Sequence, residues 1–351
     1  MKDKPLVSII INNYNYDQFL RTTIDSALSQ TYPLTEVIVV DDGSTDNSRE
    51  QIASYENKIV PVLKENGGQA SAFNAGFAVS KGEIILFLDS DDYLFPYAAE
   101  QITKVWHPDS SKVHYMLQAV DASGESLNFL HPSGQLASGE VWQLLLRDGI
   151  YTTPPTSGNA FTRRALDKIF PIPEDEFPKI ESGPETYMQV QVPFFGDVVA
   201  IEEPLGAYRI HGGNKGALSG AVDGRWVRRL VEHDLMQQRL LRCRAAELGH
   251  KVPSDLERRH IAYLWSRLAS LRLDPQNHPI PSDQAMTLMV WALRILARQV
   301  GSNLKRSCVF SLWFVWVGIM PLPLAKPAVS WLFSPQTRPN FLKTIRSLVN
   351  A

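Results

Sequence analysis

Glu83-Ile-Ile-Leu-Phe-Leu-Asp89-Ser90-Asp91-Asp92-Tyr-Leu-Phe95 runs from an unbroken apolar stretch into three carboxylates within four positions. Ile84 to Leu88 lacks polar alternation and is rich in large and β-branched residues, so it reads as a strand buried on both faces. The charge arrives at its carboxyl end. Carboxylates this close repel one another and lose hydration unless a cation sits among them. Hard oxygen ligands suit Mg²⁺ or Mn²⁺, and such an ion would in turn hold a diphosphate. The plainer reading is a charged turn that caps a helix beginning near Tyr93.

The pattern outward from this stretch repeats. Val7 to Ile11, Glu36 to Val40 and Ile59 to Leu63 are further short apolar runs, and Phe19, Leu20, Ile24, Ala27 and Leu28 recur at helical spacing between the first two. Strand and helix alternate, which predicts an α/β fold with an open, mostly parallel sheet covered by helices. Ligands of such sheets bind beyond the carboxyl ends of the strands. Asn12-Asn13-Tyr14-Asn15, Asp41-Asp42-Gly43-Ser44 and Asp89-Ser90-Asp91 all fall there, on one expected rim. From Trp106 to Gly206 the pattern loosens and suits an acceptor-facing half, with one more strand at Val198 to Pro204. Residues 225–249, 256–273 and 284–299 then read as amphipathic helices, Ile261, Leu264, Trp265, Leu268 and Leu271 giving the cleanest stripe. The glycine-rich stretch from Gly212 to Gly224 suggests a boundary near residue 220.

Bulk composition narrows the class. A chain of 351 residues can bury more than one core. Two cysteines, Cys243 and Cys308, form neither a disulfide framework nor a metal cluster, which points to a reducing compartment. The first apolar run turns polar too quickly for a signal peptide. The formal net charge of −2 hides an asymmetry: Leu271 to Ala351 carries nine Lys or Arg against two Asp, and the remainder is net −9. Within that basic tail, Cys308 to Met320 is apolar, bears tryptophans and is flanked by Lys305, Arg306 and Lys326. An interfacial or re-entrant contact with an anionic membrane from about residue 304 suits it, since the prolines at 321 and 323 cut it short of a crossing helix. The alternative is an ordinary buried helix hairpin.

Five pieces in order, Val7-Ser-Ile-Ile-Ile-Asn-Asn-Tyr-Asn15, Ala27-Leu-Ser-Gln-Thr-Tyr32, Glu36-Val-Ile-Val-Val-Asp-Asp-Gly-Ser-Thr-Asp46, Asn66-Gly-Gly68 with Asn74-Ala-Gly76, and Asp89-Ser90-Asp91, resemble the family 2 glycosyltransferases. The resemblance covers about residues 6 to 215. It implies a Rossmann-like GT-A catalytic domain over residues 1–220, followed by a helical C-terminal domain over 221–351. It further implies an inverting, metal-dependent transfer of a sugar from a UDP- or GDP-sugar to a carbohydrate or lipid-linked acceptor. Such an enzyme would serve cell-surface polysaccharide or glycolipid synthesis at the cytoplasmic face of the plasma membrane; nucleic acid is no expected partner.

By the same resemblance Asp41 or Asp42 receives the nucleobase, with Asn12 and Tyr14 lining the pocket, while Gly67 and Gly68 let backbone approach the ribose and phosphates. Asp42 to Asp46 serves equally as a loop and helix cap. Asp91 is the first choice for the metal, and Asp89 touches ribose or metal; Asp92 is expected to cap the next helix. Glu185, with Glu181 as the alternative, is the base that takes the acceptor proton. His211 is a further candidate ligand of Mn²⁺ or Mg²⁺, and Arg209 a candidate partner of the diphosphate. Two other classes stay open, a nucleotidyltransferase that makes the sugar nucleotide and a non-catalytic binding scaffold. The first usually carries a glycine-rich loop with an activating Arg or Lys after strand one, where this chain has Asn12-Asn13-Tyr14-Asn15.

Overall fold

The computed structural model describes residues 4–175, 183–212, 222–299 and 304–333. They fall into two compact units, Met1–Leu145 with Tyr151–His211, and Leu146–Ile150 with Gly212–Ala351. The boundary expected near residue 220 lies outside the described residues.

The first unit opens with β1 (Val7–Asn13), α1 (Asp17–Leu28), β2 (Thr35–Asp42), α2 (Ser48–Ala53), β3 (Val60–Lys64), α3 (Gln69–Val79) and β4 (Ile84–Asp89). There follow β5 (Tyr93–Leu94), α4 (Ala98–Val105), β6 (Ser110–Val120), β7 (Ser126–His131), α5 (Val141–Asp148), β8 (Asn159–Thr162), α6 (Arg163–Leu166), α7 (Pro184–Gln191) and β9 (Asp197–Arg209). The sheet order is β3-β2-β1-β4-β8-β6-β9-β5, with β7 on the side of β6. Strands β1 to β4 are mutually parallel, as their continuous apolar runs require: Ile9, Ile10, Ile11, Val39, Val40 and Ile84 to Leu88 are all buried. Beyond β4 the sheet is mixed, since β8 runs antiparallel to both β4 and β6 while β6 and β9 are parallel.

Two features of this half position the site. The strands run one or two residues further than their apolar cores, so Asn12, Asn13, Asp41, Asp42 and Asp89 form the last rungs of the sheet rather than loops. Register then sets Asn12 opposite Asp89 and Asn13 opposite Asp41. Helix α3 can lie close on β1 and β2 because Gly76 has no side chain; a Cβ there would stand 2.4 Å from Ile10 Cγ2. Asn74, two residues earlier, clamps the backbone of Ile172 from both sides, at 2.7 and 2.9 Å.

The second unit contains α8 (Gly224–Glu247), α9 (Ile261–Leu273), α10 (Ala285–Gln299), α11 (Leu304–Ile319) and α12 (Leu322–Phe333). Ile261, Leu264 and Leu268 of the predicted stripe are buried in one cluster with Leu288, Ala292, Phe314, Val317 and Val329; Trp265 and Leu271 pack on its margin. Each such burial stabilises by about 1.5–3 kcal/mol. The basic apolar tail forms two helices turning at Pro321, and no helix among the described residues is long and apolar enough to cross a membrane. Its outward stripe is also apolar: Val309, Leu312, Trp316 and Ile319 recur at helical spacing and are exposed, Leu312 by 71%.

Candidate active site

The side of the rim expected to take the nucleotide is built by β1, β2 and the turn before α3. Asn13 Nδ2 donates to Asp41 Oδ1 and to Ser44 Oγ, each at 3.1 Å. Asp41 Oδ2 accepts from Arg49 Nε at 2.7 Å and from the Ser44 amide at 3.1 Å. Burial alone would raise the Asp41 pKa, but Arg49, Ser44 and Asn13 together outweigh it and hold the carboxyl below the usual range. Asp42 accepts from Lys64 Nζ at 2.6 Å and from the amides of Gly67 and Gly68 at 3.0 and 2.7 Å.

Asp41 and Asp42, one of which is expected to receive the base, both accept from protein donors. The Asp41 side chain is wholly buried and both its oxygens accept from protein donors, while Asp42 ties down the glycine turn. The pair shapes the pocket wall. The amides of Gly67 and Gly68 likewise point inward, so the turn offers a ligand its outer backbone surface. Tyr14, 47% exposed, stands on the rim as expected.

At the centre, Asp89 Oδ1 accepts from Asn12 Nδ2 at 3.1 Å and from Gln69 Nε2 at 3.4 Å, and the Asp89 amide donates to Ser157 Oγ at 3.1 Å. Burial and the neighbouring Asp91 charge push its pKa up to about 7, against the opposing bond from Asn12. His211 Nε2 lies 3.0 Å from Asp91 Oδ2, and its ring packs on Phe19 and Tyr16 at centroid distances of 4.9 and 5.8 Å. Thr23 Oγ1 of α1 holds the backbone of this turn through the carbonyls of Ser90 and Asp92, at 2.8 and 2.7 Å.

Asp92 of this turn and Arg209 of β9 take up bonds that the sequence does not announce. Asp92 caps no helix: it is buried, and Oδ1 accepts the Arg209 amide of β9 at 2.8 Å. Burial, then Asp91 and Asp89, raise its pKa well above the ordinary value. Arg209 is buried as well. Its Nε donates to the Asp91 carbonyl at 2.8 Å and its Nη1 to the Ala122 carbonyl at 3.0 Å, with the guanidinium over the rings of Phe19 and Tyr93. Arg209 therefore positions the Asp91 turn.

The donor set tests the fit of a divalent ion. Among the described residues no three His, Cys, Asp or Glu side chains are grouped to hold one, so Asp89, Asp91 and His211 do not form the three-ligand set expected of them. Asp91 and His211 do stand side by side, and the crowded carboxylates with upshifted Asp89 and Asp92 are what a nearby cation would relieve. Two protein ligands fit an ion that completes its shell with phosphate oxygens and water, the usual habit of Mg²⁺.

Glu185 sits in the first turn of α7, where Pro184 needs no amide partner and the helix N-terminus favours a carboxylate. Its side chain folds back over Gly183, at which a Cβ would meet Oε2 at 1.8 Å. Its charge contributes to raising the pKa of Asp89, after burial and the Asp91 charge. Glu181, the alternative base, lies outside the described residues.

Sequence reasoning passed over two tyrosines. Tyr16 has its pKa raised to about 12 by burial and then by Asp91, Asp89 and Asp92. The Tyr208 pKa is raised by burial and then by the charges of Asp92, Asp89, Asp91 and Glu185. A tyrosine beside a motif carries no mark of which way it turns; the register of β9 on β6 supplies that. Also unread was the polar underside of the acceptor half, where buried Lys112 Nζ donates to Asn159 Oδ1 at 2.8 Å and Thr153 Oγ1 at 2.9 Å, anchoring residues 153–159.

Residues 8–170 match the family model described as glycosyl transferase family 2. An uncharacterized glycosyltransferase of Nostoc sp. is 37% identical over 214 residues, 59% of this chain and 66% of that protein. The chondroitin synthase of Pasteurella multocida is 40% identical over 152 residues, 42% of this chain and 15% of the synthase. The matches thus span less than two thirds of the length of these curated relatives. A mannosyltransferase from Pyrobaculum calidifontis, solved in complex with GDP-Man and Mn²⁺, superposes with a TM-score of 0.51 at 17% identity, over 99% of this chain and 86% of that one. That likeness is one of fold, and it agrees with a mixed sheet flanked by helices and followed by a helical region. Residues 8–170 of the chain thus form a glycosyl transferase family 2 domain, and the fold is GT-A-like.

Proposed function

We propose that the chain is a metal-dependent inverting glycosyltransferase that moves a sugar from a UDP- or GDP-sugar to a carbohydrate or lipid-linked acceptor, in cell-surface polysaccharide or glycolipid synthesis. The observation that carries this reading is the Asp91–His211 pair next to Asp89 at the end of β4, with Glu185 in the first turn of α7 and its charge felt by Asp89. Asp91 and His211 would hold Mn²⁺ or Mg²⁺; when bound, the ion neutralises charge gathering on the departing diphosphate. Asn12 and Gln69 hold Asp89 at the donor side. Glu185 takes the acceptor hydroxyl proton as that oxygen bonds the anomeric carbon and the bond from that carbon to phosphate breaks on the opposite face. One displacement inverts the anomeric centre.

A structural neighbour lends one of the donor classes and relatives lend the product class. The mannosyltransferase neighbour is solved with GDP-Man and Mn²⁺, and relatives include a chondroitin synthase and a hyaluronan synthase, which suits a glycan product. The domains of this enzyme are then a catalytic 1–220 and a helical 221–351, the latter touching the inner face of the plasma membrane through the outward stripe of α11. Basic Lys305, Arg306 and Lys326 beside exposed Leu312 and Trp316 favour an anionic surface. Incubation with a panel of UDP- and GDP-sugars and Mn²⁺ tests the catalytic reading. Release of UDP or GDP from at least one donor, abolished in Asp91→Asn, is expected; no release from any donor overturns it.

A further inference from the structure

Three strands beyond β4, on the side away from the nucleotide pocket, two rings are stacked. Tyr208 of β9 and His131 of β7 lie with centroids 5.2 Å apart and planes 18° from parallel. They reach one another across β6, whose Ala119 pairs with Tyr208 and whose Leu117 pairs with His131. Phe129 precedes His131 by two residues, so its side chain leaves β7 on the same face, and it is 48% exposed. Gln118 Nε2 donates to the Phe129 carbonyl at 3.0 Å and fixes β7 at that point.

The stack is tied to the reacting centre. The Arg209 amide, next to Tyr208, donates to Asp92 Oδ1 at 2.8 Å, and His211 bonds Asp91 two residues further on. The Tyr208 phenol lies in the field of Glu185 as well as of the three aspartates. Among the described residues its hydroxyl makes no hydrogen bond. An aromatic pair flanked by a hydroxyl without a partner among the described residues, on the strand that closes on the Asp91–Asp92 turn, has the two properties that bind a sugar: an apolar surface for its C–H face and a polar group that fixes its orientation.

We propose that Tyr208 and His131, with Phe129 at the outer edge, form the acceptor subsite and take a pyranose ring of the acceptor. The rings carry the face of the sugar, and the Tyr208 hydroxyl turns an acceptor hydroxyl toward Glu185. Position favours acceptor over donor. The nucleotide pocket lies at β1, β2 and the Gly67–Gly68 turn, and the sheet order puts β4, β8 and β6 between that pocket and β9. The inference rests on the transferase reading and assigns that site its acceptor chemistry, a carbohydrate ring, whether free or at the head of a lipid.

The test is saturation-transfer NMR on the full chain with Mg²⁺ and UDP, or GDP where the chain binds that nucleotide instead, using methyl β-D-glucopyranoside, methyl α-D-mannopyranoside and methyl N-acetyl-β-D-glucosaminide as probes. Saturation of the ring protons of at least one glycoside is expected for the wild type. Tyr208→Ala and His131→Ala should weaken it about 5- to 10-fold, the size of one aromatic contact, while nucleotide affinity stays within about twofold. Tyr208→Phe keeps the packed ring and should retain saturation of the sugar face with a smaller loss of affinity, so a misfolded alanine variant leaves the test intact. Equal saturation in the wild type, Tyr208→Phe and His131→Ala overturns the subsite, as does a wild type that binds UDP or GDP but saturates none of the three. A wild type that binds neither UDP nor GDP overturns the transferase reading first, and the subsite with it.

Discussion

Nε2 of His211 stands 3.0 Å from Oδ2 of Asp91 although 120 residues separate them, because β9 delivers the histidine to the end of β4. Both side chains are mostly covered, 9% and 14% exposed, and the imidazole is wedged against Phe19 and Tyr16. If the pair holds a divalent ion, His211→Gln should weaken Mn²⁺-dependent nucleotide binding at least on the order of 10-fold, the size seen even for outer-shell partners of a metal. Metal-free nucleotide binding and the melting curve should change little. Unaltered Mn²⁺ dependence would assign His211 to packing alone.

Glu185→Gln preserves shape and removes the proton acceptor. Nucleotide binding should stay within about twofold of the wild type, while transfer falls by 10²-fold or more, the usual contribution of a general base. An active variant would move the base elsewhere, Glu181 being the first place to look.

Asp41 bears on stability. Asp41→Asn loses the ion pair with Arg49, and because that guanidinium is 44% exposed it can return to water, so the cost at pH 7 should be about 1–3 kcal/mol. The folded Asp41 pKa lies below its ordinary value of 3.8, so its contribution is complete above that value and is lost as the pH falls through the folded one. Chemical denaturation of both proteins from pH 7 to 3 should therefore show the stability gap closing only below about pH 4. A gap that closes already at neutral pH contradicts this assignment.

The exposed stripe of α11 predicts lipid contact. In flotation with vesicles containing anionic phosphatidylglycerol, the wild type should rise with the lipid at low salt and be released by high salt. Leu312→Glu combined with Trp316→Glu should abolish flotation and leave nucleotide binding intact. A wild type that stays in the soluble fraction at low salt rejects the contact.

Much of the donor half was legible because its strands are continuous apolar runs ending in polar clusters, and periodicity needs no long-range information to be read. The acceptor half was not. β6 begins Ser110-Ser111-Lys112-Val113-His114, which looks solvent-facing, yet every one of these residues is buried, with Lys112 held by Thr153 and Asn159. Partners 41 and 47 residues away cannot be inferred from local pattern. The same limit explains Asp41 and Asp42: their carboxylates stood out as ligands for a base, whereas Arg49 and Lys64 already occupy them. Asp92 shows the converse, a cap by local rule that long-range pairing with β9 overrides.

Calorimetric titration of UDP and GDP into the wild type and Asp91→Asn, with and without Mn²⁺, addresses the acidic lip of β4 most directly. For at least one of the two nucleotides, Mn²⁺ should raise wild-type affinity by at least about 10-fold and should leave Asp91→Asn unchanged. Wild-type affinities that are the same with and without the ion, for both nucleotides, would contradict a metal role for Asp91.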